Sequence, residues 1–117
     1  MTQQTILSRL MGEMIKYDSG DVKLIQHLVK VHDFARIIGI AEGMNEEELF
    51  VLEAAAILHD VGIHAAEAKY GNCSGKYQEE LGPDEARKVL SGVEGFSDEQ
   101  IERICWLIAH HHTYTDV

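Results

Sequence analysis

Apolar residues return every three or four positions through most of this chain. Ile6, Leu7, Leu10, Met11, Met14 and Ile15 form one stripe of a helix over residues 2–17, interrupted by Ser19-Gly20. Leu24, Leu28, Val31, Ala35 and Ile38 predict a second helix that ends near Gly43. Asn45 followed by Glu48 supplies an N-cap and a capping-box acid for a third. Behind that cap run Leu49, Val51, Leu52, Ala55, Ala56 and Leu58, up to His59, Asp60 and Gly62. Its alanines allow another helix to approach closely, so this segment is expected at the centre of the core. Ala65, Ala66, Ala68 and Tyr70 predict a short helix over 64–71, followed by a loop from Gly71 to Gly75. Gly82-Pro83 marks the expected start of the next helix, because proline at the first helical position loses no hydrogen bond. Ala86, Val89 and Leu90 give it an apolar side, and Gly92 to Gly95 ends it. Ser97 with Gln100 caps a last helix lined by Ile101, Ile104, Cys105 and Ile108. Sustained period-two alternation, internal repeats and low-complexity segments are all lacking. The prediction is an all-α single domain over residues 1–117, a compact bundle of five or six helices.

Composition narrows the function classes. The 117 residues suffice for one core, and 45% apolar with 26% charged residues is an ordinary globular balance. Acidic residues outnumber Lys plus Arg by 20 to 10, a formal charge of -10. That balance argues against a nucleic-acid polymer as partner, since such surfaces rely on clustered Lys and Arg. It leaves a small phosphate ligand open, because a bound metal inverts the local field. The two cysteines, Cys73 and Cys105, are expected as free thiols of a reducing compartment. No apolar run approaches the roughly 18 residues of a membrane span, and the N-terminus lacks a signal-peptide pattern. No membrane association and a cytoplasmic location are the default expectations.

Histidine is the unusual component, with seven residues, three of them consecutive. His32 flanks the face of the second helix that should meet the core. His59 and Asp60 lie one turn past Ala55 and Ala56, on the buried side of the alanine-rich helix. A 100° step per residue puts His111 and His112 near the last apolar stripe and sends His110 to the opposite side. Imidazole and carboxylate donors together suit Mn, Fe, Co, Ni or Zn. Each residue also has a plainer reading. His32 would serve as a hydrogen-bonded core histidine, and His59 as an imidazole at a helix C-terminus. His27 and His64 receive no role. Burying several such groups unpaired costs several kcal/mol each, which a metal removes.

The segment Ala56-Ile57-Leu58-His59-Asp60-Val61-Gly62, with the upstream Val31-His32-Asp33 and the later Ile-Ala-His-His run, resembles the HD-domain superfamily of helical metal-dependent phosphohydrolases. The resemblance runs from about Asp18 to Thr113. It implies metal ligands at His32, His59 and Asp60, with His111 as a further histidine ligand. It also implies an aspartate on a later helix. Asp116 comes too early for that place, so the bundle is expected to lack its C-terminal part. Gln78 stands where two-metal relatives carry a histidine, so one divalent ion (Mn, Fe, Co, Ni, Zn or Mg) is expected and a second is in doubt. The implied reaction is hydrolysis of a phosphate ester on a nucleotide or other small phosphorylated compound. Asp60, Glu79 and Glu80 are the candidate catalytic groups, the two glutamates with surface solvation as their alternative role. Arg36, Lys69, Lys76 and His112 are the candidate substrate contacts. The rival expectation is a non-catalytic helical ligand-binding or interaction module with an incomplete metal site. A homo-dimer would cover any apolar area left open.

Overall fold

The computed structural model of the protein describes residues 2–115, with side chains over residues 2–110. Six helices follow in order: α1 (Gln3–Tyr17), α2 (Val22–Ala41), α3 (Glu46–Leu58), α4 (Ile63–Tyr70), α5 (Gly75–Ser91) and α6 (Asp98–Thr115). The described residues contain no strand. The all-α expectation is met, with six helices.

Local chemistry sets most of the starts. Thr2, Asp21 and Asn45 each accept a hydrogen bond from a backbone N–H in the first turn of α1, α2 and α3. Ser97 and Gln100 close a reciprocal capping box ahead of α6: Gln100 N–H donates to Ser97 Oγ at 3.1 Å, and Ser97 N–H donates to Gln100 Oε1 at 2.8 Å. Gly71 ends α4 at φ 76°, a left-handed position that suits glycine.

α3 is the central helix. Phe50, Val51 and the run from Ala54 to Leu58 are buried, and α1, α2 and α6 pack around them. Ile6, Leu7, Leu10 and Met14 of α1 and Ile104, Cys105 and Ile108 of α6 complete the core. The stretch Glu46–Tyr70 has the length and apolar character of a membrane span, contrary to the expectation that no such run exists. However, 67% of its most apolar window is buried inside the bundle, and the demands of that core account for its composition.

One boundary departs from expectation. α5 begins at Gly75 rather than at Gly82-Pro83, so Pro83 lies inside the helix. An interior proline removes one backbone bond and costs about 3 kcal/mol in an isolated helix. Packing between α4 and α6 outweighs that cost here. The close approach depends on glycine: a Cβ on Gly62 would stand 3.0 Å from the Gln78 carbonyl oxygen and 3.1 Å from Gly82 Cα. The α3–α4 turn therefore rests directly on the backbone of α5.

Candidate metal centre

α3 stops at Leu58, and His59 and Asp60 occupy the turn that leads to α4. Both therefore project from the end of the most buried helix, with side chains 10% and 18% exposed. Tyr17 holds this turn from α1, its hydroxyl 3.1 Å from the Val61 carbonyl and 2.9 Å from Glu85 Oε2. Burial, with Glu85 as the hydrogen-bond partner, pushes the Tyr17 phenol well above its ordinary range.

Three donor atoms meet at this point. His59 Nε2 lies 3.0 Å from Asp60 Oδ2, His27 Nε2 lies 3.2 Å from the same oxygen, and the two imidazole nitrogens are 3.2 Å apart. His59 Nδ1 donates to the Ala56 carbonyl at 2.7 Å, which leaves Nε2 facing the other two donors. These separations match a divalent ion. With bonds of about 2.1 Å, such edges subtend angles of about 90–100° at a common centre. Two imidazole nitrogens and one carboxylate oxygen also form a suitable donor set for Mn, Fe, Co, Ni or Zn. The residues present fit the ion.

His27 takes the place in this cluster that sequence reasoning gave to His32. The reason is helical phase. Five residues along α2 turn the side chain by about 140° and move it by roughly 7.5 Å. α2 and α3 run antiparallel, so His27 meets the end of α3 and His32 meets its middle. There His32 Nε2 lies 3.0 Å from Oε1 of Glu53, a carboxylate only 2% exposed. Arg36 follows one turn later and reaches the same oxygen at 3.5 Å. His32 and Arg36 thus partner a buried acid, and neither stands at the cluster.

The remaining expected residues divide. Gln78 is buried beside the turn and donates from Nε2 to the Cys73 carbonyl at 2.7 Å, which ties the α4–α5 loop to α5. Glu80 is held by the Tyr70 hydroxyl at 2.7 Å and lies 3.9 Å from Lys69 Nζ. Glu79 is half-buried and Lys76 exposed near the start of α5. His111 and His112 lie outside the described side chains. His110 stacks on Trp106 with ring centroids 4.1 Å apart and its Nδ1 2.7 Å from the Trp106 carbonyl.

The electrostatics of the cluster give it a definite pH dependence. Burial disfavours the His59 imidazolium, but the hydrogen bond and charge of Asp60, aided by the Ala56 carbonyl and Asp18, more than offset it. The His59 pKa therefore stands above its ordinary value. In metal-free protein the pair's contribution is fully present below the unfolded histidine pKa and is lost as pH rises through the raised folded value. Metal binding runs the other way, because both histidines must present an unprotonated nitrogen. Melting temperatures taken with and without metal between about pH 5 and 8 should diverge as pH rises. A constant gap would contradict this linkage.

The model of the HD domain family matches residues 24–116 of the chain. Searches of curated proteins and of solved structures returned no match.

Proposed function

The chain belongs to the HD-domain family, and from that premise we propose that it is a metal-dependent phosphohydrolase acting on a nucleotide or another small phosphorylated compound. One observation carries the reading: His27, His59 and Asp60 set three donors 3.0–3.2 Å apart at the end of the central helix. A divalent ion held there supplies a Lewis acid for a phosphate oxygen and lowers the pKa of a bound water.

The chain's own groups prepare the place. Ala56 fixes the ring of His59, and the Tyr17 hydroxyl beside the Val61 carbonyl steadies the turn. The side chain of His27 is 52% exposed, so the cluster opens to solvent on the α2 side. The -10 formal charge repels phosphate at long range, so binding depends on the ion and on cationic groups close to it.

A second reading, a non-catalytic interaction module, has one observation in its favour. Val22, Val29, Phe34, Ile37, Ile38 and Ile40 of α2 are large, apolar and 39–65% exposed. Assay of purified protein loaded with Mn, Co, Ni or Zn against nucleoside monophosphates and generic phosphate esters separates the two. The enzyme reading expects about one tightly held equivalent of metal and turnover that chelation abolishes and metal restores. Tight metal without turnover of any phosphate ester would leave the module reading in its place.

A further inference from the structure

Asp18 and His64 form a pair that the metal centre does not use. Asp18 is the residue just past α1, and only 3% of it is exposed. Its Oδ1 lies 3.0 Å from Nε2 of His64, on the first turn of α4, whose side chain is 39% exposed. The Tyr17 ring leans on the imidazole with centroids 5.8 Å apart. His64 follows Asp60 by four residues across one tight turn. Asp18 acts electrostatically on His59, and Asp60 on Asp18, which places the pair beside the cluster.

Burying this carboxylate has a cost. Desolvation, with the neighbouring charges of Asp21 and Asp60, raises the Asp18 pKa despite the opposing hydrogen bond and charge of His64. A raised carboxyl pKa destabilises the fold at neutral pH relative to acid. The hydrogen bond from His64 offsets part of that cost. The carboxylate grips one edge of a half-exposed imidazole and leaves the other edge, Nδ1, for a second partner.

The phosphate needs such a partner. Arg36 is committed to Glu53, and Lys69 lies beside Glu80. Lys23 and Lys30 stand one turn either side of His27, but on exposed, flexible stems. His64 is instead fixed by its acid. Resting on the phosphohydrolase reading above, we propose that His64 is a phosphate contact of the metal centre, with Asp18 as its positioning residue. The imidazole offers two ring edges, with Nε2 turned to the Asp18 carboxylate and Nδ1 available to a phosphate oxygen.

The test is titration of the zinc-loaded full chain with inorganic phosphate, following the side-chain 15N signals of His64 identified by their loss in His64→Gln. Nδ1 of His64 should shift with the same Kd that 31P signals report. His64→Gln should bind phosphate about tenfold more weakly, as expected for one charge-assisted hydrogen bond, with zinc affinity unchanged. Asp18→Asn, checked for folding by circular dichroism, should weaken phosphate in the same sense. Saturable phosphate binding that leaves the His64 signals unmoved, or a His64→Gln Kd within twofold of the parent, would overturn the inference alone. Zinc-loaded protein that binds no phosphate would overturn the phosphohydrolase reading and this inference with it.

Discussion

Asp60→Ala is expected to abolish metal-dependent phosphatase activity while leaving the helical bundle intact. Loss of an outer-shell partner of a metal ligand typically costs 10–100-fold in affinity or activity, so loss of a ligand itself should exceed about a hundredfold. The carboxylate is the one anionic donor in the cluster, and without it two neutral imidazoles remain. Its removal gives up the His59–Asp60 attraction, whose contribution to the metal-free fold fades as pH rises, and one unfavourable charge goes with it. Asp60 is one of the charges acting unfavourably on buried Asp18, and that repulsion disappears. His59 keeps its bond to the Ala56 carbonyl. The expected result is a folded protein by circular dichroism with less than a tenth of an equivalent of bound metal after dialysis. An Asp60→Ala variant of undiminished activity would mean that the chemistry takes place elsewhere.

The second large effect is structural and comes from Gly62. A Cβ there would press on the Gln78 carbonyl oxygen at 3.0 Å and on Gly82 N and Cα at 3.1 Å, all of them backbone atoms that no rotamer change can move. Gly62→Ala must push α5 away from the turn that carries His59 and Asp60. Overpacking of this kind costs about 1–3 kcal/mol, a fall in melting temperature on the order of 10 °C for a domain of this size. Metal affinity should fall too, because the same turn aims two of the three donors. Gly12→Ala is the control: nothing lies within 4 Å of its added Cβ, and alanine is the better helix former. That variant should melt no lower than the parent. A Gly62→Ala protein as stable as Gly12→Ala would show that the turn and α5 are not in contact.

Much of the fold was legible because local chemistry decided it. The caps at Asn45 and Ser97 and the alanine-rich run of α3 all lie in short, strongly patterned segments, and the structure realises each. The start of α5 was not legible. Gly82-Pro83 carries the chemistry of a helix start, but the tertiary contact of Gly82 with Gly62 and Ile108 explains that glycine instead. For the site, sequence pattern found the His59-Asp60 turn but not the partner supplied by α2. That helix has apolar residues nearly all round, with Val22, Val29, Ile37 and Ile40 facing solvent, so its stripe did not fix which histidine points inward at which level. One signal was available. Glu53 interrupts an otherwise apolar run, and a buried acid demands a basic partner, which His32 and Arg36 supply. With His32 committed to Glu53, His27 is the histidine of α2 that meets the end of α3. The Asp18–His64 pair spans 46 residues and no local pattern announces it.

His27 is the decisive ligand, and a paired zinc titration tests its role most directly. His27→Ala should weaken zinc by more than about a hundredfold, since it removes a donor from the triangle. His32→Ala should bind zinc within about threefold of the parent and should instead lose stability, because it leaves Glu53 buried with Arg36 alone as its cation. The reverse pattern, with zinc lost in His32→Ala and kept in His27→Ala, would contradict the metal centre described here.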